Sequence, residues 1–202
     1  MKRMSLVYVN TYLYGCFCIL VFMRRDEALR RLANADASGL YVYRKQDLSI
    51  VLGESGRALD RTVCSLAAGG VLERATHGVY VFPLSRHVGA GTLDDIVRCL
   101  RPGRVTWESC ESALSQWGVI SQIPVGRTTY MTTGREGEFH TRFGVIDLTH
   151  SKLAPSRIIG NLVYRGGRLP IATKRFAYDN LRSTGRNAGL IDMDELEDDD
   201  EW

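Results

Sequence analysis

With 202 residues, 45% of them apolar and 24% charged, the chain can build one large domain or two small ones with a genuine core. Its five scattered cysteines (Cys16, Cys18, Cys64, Cys99, Cys110) exclude a disulfide framework and a zinc pattern of two paired sets, so a reducing cytoplasm is the expected compartment. The net charge of +3 hides an asymmetry: Asp192–Trp202 holds eight acids and no base, which leaves the rest of the chain near +11. A basic body with an acidic tail suits a protein that binds a polyanion.

Residues 1–23 form an apolar extension. Lys2 and Arg3 precede Ser5–Met23, about 19 mostly apolar residues, and Arg24-Arg25 follow. No small-residue cleavage site marks a signal peptide. Bases at both ends give no orientation, and Asn10, Thr11 and three tyrosines weaken a span. Two readings stay open: a membrane anchor over residues 5–23, or a non-spanning extension that reflects a true start at Met23.

Residues 24–86 read as a first domain. Arg24–Ala35 is expected to be a helix with Ala28, Leu29, Leu32 and Ala33 on one face, and Leu40–Tyr43 a short strand. Gln46–Leu52 is a second helix, stopped at Gly53. Ser55 stands where a side-chain oxygen can cap the next helix. From Arg57 to Ala68 the apolar residues Leu59, Val63 and Leu66 make one stripe, with Arg57 and Arg61 one turn apart opposite it. Gly69-Gly70 ends that helix. Val71–Ala75 and Val79–Phe82 then flank Thr76-His77-Gly78 as a hairpin. Helix-turn-helix followed by a hairpin is the order of a winged helix, whose second helix can enter a DNA major groove.

Pro83–Gly91 reads as a linker to a second domain, residues 87–191. Helices are expected over Thr92–Leu100, Trp107–Trp117 and Thr173–Arg182. Strands are expected over Val119–Ile123, Arg127–Thr132, Glu138–Phe143 and Val145–Thr149, with short apolar runs at Ile158–Tyr164 and Leu169–Ile171. Short Gly-containing loops predict antiparallel hairpins, one of them at Thr132–Arg135 and Gly134–Gly137. The fold class is therefore α+β: a winged helix-turn-helix, then a mixed α/β domain with antiparallel hairpins. The acidic tail, residues 192–202, is expected to be disordered and solubilising, with DNA mimicry as its alternative.

Catalytic patterns are sparse. His77, His87, His140 and His150 fall in no catalytic spacing, and Thr149-His150-Ser151 reads as a strand end. Glu108 and Glu111, three apart on an expected helix, read as a solvated N-terminal turn. Thr132-Thr133-Gly134-Arg135 has one glycine and no lysine, too little for a phosphate loop. The expectation is a protein that is not an enzyme, with no metal and no cofactor. DNA contact is better supported. Arg57 and Arg61 can pair with phosphate or guanine, and Ser55, Thr62 and Ser65 add short polar contacts. Arg44, Lys45 and Arg74 flank the helices and hairpin, and His77 sits at the wing tip. Asp60 opposes this field and is expected to pair with Arg57 or Arg61.

Three stretches carry a family likeness: Asp47-Leu48 through Gly78-Val79-Tyr80 with its Leu66–Arg74 turn, Trp107–Ser115 with Gly118–Gln122, and Thr132-Thr133-Gly134 with Phe143–His150. Ile171–Thr173 through Asp179–Leu181 closes the pattern, with Lys174-Arg175 where the family often has Pro-Glu. Over roughly Arg24 to Leu190 the chain resembles the AbiEi-type antitoxins of type IV toxin–antitoxin systems. The resemblance implies a winged helix that binds inverted repeats in its own promoter and represses the operon, with a homodimer on the DNA left open. It also implies that the C-terminal domain counters a nucleotidyltransferase toxin without needing a stable complex. The alternative is a membrane-anchored interaction protein in which the winged helix serves as a scaffold. An enzyme centred on Thr132–His150 is a third reading.

Overall fold

The computed structural model describes residues 24–121, 126–186, 189 and 191–197. The apolar extension, and with it the choice between anchor and start site, lies outside the described residues. Among the described residues no helix is long and apolar enough to cross a membrane.

The first third of the chain runs α1 (Arg25–Ala37), β1 (Val42–Arg44), α2 (Lys45–Leu52), α3 (Gly56–Ala68), β2 (Glu73–Thr76) and β3 (Val79–Val81). The predicted stripe of α3 is buried as expected, since Leu59, Val63 and Leu66 are each 3% exposed. The strands form an antiparallel sheet in the order β1-β3-β2, with the hairpin turning at His77-Gly78. Gly78 sits at φ +77°, a conformation that side-chain-bearing residues avoid, which is why glycine stands there.

Pro83–Gly91 is a packed connection and not a free linker. Ser85 is buried and its hydroxyl donates to Asp36, while Tyr41 donates to Asp95 Oδ2 at 2.8 Å from across the join. The core follows: the cluster containing Leu32, Leu48, Leu52 and Val81 also takes in Ile96, Val97, Ile146 and Leu148. Apolar surface continuous across the join binds the two halves together.

Beyond it come α4 (Thr92–Leu100), β4 (Thr106–Glu108), α5 (Cys110–Gln116), β5 (Arg127–Thr132), β6 (Gly137–Thr141) and β7 (Gly144–His150). They are followed by α6 (Pro155–Ile159), β8 (Leu162–Val163), β9 (Ile171–Ala172), α7 (Lys174–Ser183) and α8 (Met193–Glu197). The strands make one mixed sheet, β6-β7-β5-β4-β9-β8, in which β5/β7 and β4/β9 are parallel. Several expectations change here. The stretch Trp107–Trp117 is not one helix. Its first residues are strand β4, paired on both edges, and Trp107 is fully buried with its ring stacked on Phe176 at 6.1 Å. Val119–Ile123 is no strand in its described part, contributing a single bridge from Ile120 to Ile191. The loop after β5 is not a hairpin, because β7 lies between β5 and β6. Ile158 belongs to helix α6. The tail is not wholly disordered: Met193–Glu197 is helical and Leu196 is buried in a second core around Trp107, Leu114 and Leu181, while residues 198–202 lie outside the described set.

β4 and α5 meet at Cys110, which is buried and held at φ +53°. Two charged residues on this half are also buried. Asp94 on α4, 0% exposed, accepts hydrogen bonds from Tyr130 Oη at 2.7 Å, Arg168 Nε at 2.9 Å and Leu169 N at 3.3 Å. Glu108 on β4 accepts from Arg165 Nη2 at 2.7 Å and from Gln116. Glu108 and Glu111 therefore do not share a solvated face: Glu111 pairs instead with Arg186, at 3.2 Å. Burial pushes the Glu108 carboxyl up, against the pull of Arg165.

Removing one partner of such a pair strands the other. Arg168→Met is expected to cost about 3 kcal/mol, the lower end of the range for broken buried pairs, because Arg168 is itself partly exposed. Urea denaturation followed by tryptophan fluorescence measures it, and an unchanged midpoint would show that Asp94 is held by Tyr130 and the backbone alone.

Candidate nucleic-acid interface

Helix α3 is two-sided because its apolar residues recur every three or four positions. Arg57, Arg61 and Ser65, spaced by four, form an exposed stripe facing away from the core, with Asp60 and Cys64 on the neighbouring stripe. Thr62 does not join them. It is 4% exposed, on the core side of the helix, and its hydroxyl has no hydrogen-bond partner among the described residues. Thr62 is thus removed from the set of surface contacts. Ser55 occupies the N-cap position in extended conformation and is exposed, but its side chain accepts no capping hydrogen bond, so the expected cap is absent.

Arg44 and Lys45, both expected to contact DNA, form ion pairs within the protein. Arg44 closes the start of α2: its backbone N–H and Nε both donate to Asp47 Oδ2, at 2.8 Å and 2.9 Å, and Nη2 pairs with Oδ1 at 2.8 Å. Asp47, the third residue of α2, thus accepts from the backbone N–H of the residue that precedes the helix, the half of a capping box that a carboxylate supplies. The Arg44 guanidinium beside Asp47 holds that carboxyl below the usual range. Lys45, the first residue of α2, forms an ion pair with Asp60 on α3. Asp60 therefore does not pair with Arg57 or Arg61 as expected, and its carboxylate raises the Lys45 ammonium. The pair ties α2 to the outer face of α3 and leaves a negative group beside the arginine stripe.

At the hairpin, Arg74 and His77 are exposed and joined, Arg74 Nη2 lying 3.0 Å from His77 Nδ1. A guanidinium only donates, so His77 accepts at Nδ1 and carries its proton on Nε2. Of the bases expected in this region, Arg57, Arg61, Arg74 and His77 are exposed, while Arg44 and Lys45 are held in ion pairs with Asp47 and Asp60. The sequence reading also missed a group of bases in the second half: Arg101, Arg104, Arg135, His150 and Lys152 line one groove. They come from three separate turns and strand ends, and only the sheet order collects them.

No protein-family model matches the chain, and no curated protein matches it. A similar fold is found in the crystal structure of the Rv2827c protein from Mycobacterium tuberculosis. The TM-score is 0.58, with 15% sequence identity, over 87% of this chain and 71% of that one. At that identity the likeness is one of fold alone.

Two outcomes follow from the paired and buried positions. Thr62→Val replaces a buried, unpaired hydroxyl with a methyl and is expected to keep or raise stability, by up to about 1 kcal/mol, with no change in DNA affinity. Thermal denaturation and fluorescence anisotropy read both. Asp47 has its pKa lowered in the folded state, so the stability it contributes is present above its unfolded pKa and is lost as pH falls through the folded value. Denaturation midpoints of wild type and Asp47→Asn should therefore differ at neutral pH and converge in acid.

Proposed function

We propose that this chain is an AbiEi-type antitoxin that represses its own operon, and that residues 24–86 are a winged helix binding promoter DNA. The observation that carries the reading is the exposed stripe Arg57-Arg61-Ser65 on a helix whose opposite face is core. A helix held rigidly from behind, with arginines in front, can lie in a major groove and pair with phosphates or guanine edges. The hairpin with Arg74 and His77 serves as the wing beside it. An inverted repeat would be occupied by two copies of the chain, each reading one half-site. The second domain, built on the six-stranded sheet, opposes the nucleotidyltransferase toxin.

Within this reading the charged groups have separate effects. Arg57 and Arg61 each neutralise a phosphate and release counterions, while Asp60 repels the backbone it approaches. Lys45 screens that carboxylate and so tempers the repulsion.

Binding to the upstream intergenic duplex across a salt series tests it. Arg57→Ala/Arg61→Ala should weaken binding and lower the slope of log affinity against log salt by about two. A double variant that binds as tightly, with an unchanged slope, removes α3 from the interface. Asp60→Asn should act in the opposite direction and tighten binding. Co-expression with the toxin from the adjacent gene tests the second role, since Arg57→Ala/Arg61→Ala should lose repression and still rescue growth.

A further inference from the structure

The loop Thr133–Glu136 looks too poor in glycine and lysine to hold phosphate, yet the fold surrounds it with bases. Gly134 is pressed between two arginine stems: a Cβ built there would lie 3.0 Å from Arg101 Cδ and 3.1 Å from Arg104 Cγ. A side chain there would push one of the two stems aside by a few tenths of an ångström, and the close approach sets the two arginines next to each other. Arg101 is fixed further. Its Nε donates to Arg135 O at 2.6 Å, its Nη1 to Leu100 O at 2.9 Å, and its guanidinium lies 5.5 Å from the Phe139 ring centroid. His150 donates from Nδ1 to Gly134 O at 2.7 Å, which leaves Nε2 for the groove. The loop itself is braced by Thr133 N to Val105 O at 2.9 Å and Gly134 N to Thr132 Oγ1 at 3.0 Å.

The bases so gathered outnumber the acids beside them. Among the described residues Arg101, Arg104, Arg135 and Lys152 form no ion pair, and Glu136 is the one acid lining their groove of about 800 Å³. Burial and the neighbouring Arg135 charge both push the Arg101 guanidinium down, as expected of like charges held together. Like charges fixed side by side repel, and a multivalent anion between them relieves that repulsion. Guanidinium forks match phosphate oxygens in particular. The groove opens at the ends of the parallel strands β5 and β7, where Thr132 and His150 are register partners, the side of a parallel pair on which ligands commonly sit. Through His150 and Lys152 it continues into a second cleft of about 710 Å³. That cleft has Met131 and Phe176 in its apolar lining and Arg157, Arg175, Asp179 and Asn180 among its polar and charged groups, a size and mixed lining that suit a small polar organic ligand.

We propose that this double cleft binds a nucleoside polyphosphate, with the phosphate chain against Arg101, Arg104, Arg135 and Lys152 and the nucleoside in the cleft of Met131 and Phe176. The site lies outside α3 and stands whether or not α3 binds DNA. A small ligand is favoured over a nucleic-acid strand because the bases converge on one loop instead of following a line, and because a cleft with apolar residues in its lining adjoins them.

Calorimetric titration of the full chain at constant ionic strength, with ATP, tripolyphosphate and AMP as probes, tests the assignment. One ATP per chain is expected, with tripolyphosphate weaker and AMP weaker by about tenfold or more, since AMP lacks the charges that the groove collects. Arg104→Glu/Lys152→Glu should weaken ATP by about tenfold, and Arg104→Gln/Lys152→Gln by several-fold, a milder change that keeps the test valid should charge reversal prevent folding. Arg57→Ala/Arg61→Ala should leave ATP binding unchanged, so a failure here is separate from a failure of the DNA reading. ATP held no more tightly than AMP, or indifferent to both groove variants, overturns the site. Equal affinity for ATP and tripolyphosphate overturns the nucleoside cleft. A groove that answers only to duplex DNA, and loses it on charge reversal, is a nucleic-acid surface, which also overturns the proposal.

Discussion

Two carboxylates with almost no access to water, Asp94 and Glu108, set the frame on which the second half of the chain is built. Each meets an arginine from one short turn, Arg165-Gly166-Gly167-Arg168, which lies over the sheet and is held by Arg98 donating to Gly167 O at 3.0 Å. Ion pairs of this kind add little net stability over an apolar equivalent, but the alternatives are expensive. If α4 slides along the sheet, Asp94 loses Tyr130 and Arg168 together. A displaced turn leaves both carboxylates without a cation. The pairs thus exclude neighbouring arrangements that the surrounding Leu, Ile and Val side chains would tolerate. Because Arg101 directly follows α4, the position of the basic groove is inherited from Asp94, one helix length away.

A division of labour among the cations runs through the molecule. Arg31, Arg44, Arg165, Arg168 and Arg186 are internal fasteners, each against a carboxylate, a carbonyl or both. Arg57, Arg74, Arg104, Arg135 and Lys152 form no ion pair among the described residues and face solvent. An excess of positive charge in the sequence therefore overstates the surface field on one face and understates it on another. Lys45 shows the difference: it stands within a basic run, Arg44-Lys45, but its charge is spent on Asp60.

Features that depend on a few neighbouring residues were legible in the sequence. The stripe of α3, the glycine turn at Gly78, and the spans of α4 and β5 follow from spacing and turn chemistry that act over a few residues. Thr62 was misplaced because Leu59, Val63 and Leu66 define a buried arc wide enough to include its position, while its hydroxyl suggested the surface. Trp107-Glu108 was misread because the ten residues that follow have helical spacing, and a three-residue strand paired on both sides leaves almost no pattern of its own. The hairpin expected after β5 failed for a different reason. Which strand lies beside which is decided by pairings with distant segments, and no short window contains them. The bases around Gly134 were invisible for that same reason, since residues 101, 135 and 152 meet only when the sheet closes.

That closure has a consequence in time. β4 lies in the middle of the sheet, and its parallel partner is β9, with Glu108 opposite Ile171. β6 precedes β7 in the chain but reaches the sheet only through it. As the chain leaves the ribosome, the helices and hairpin of the first third can form contacts among near neighbours at once. The sheet cannot: one edge of β4 stays open until the segment near residue 171 has emerged, and parallel pairings across such separations form slowly. During that interval the apolar faces around Trp107 and Met131 are uncovered, so the newly made sheet stays open to aggregation for longer than the helices and hairpin that precede it.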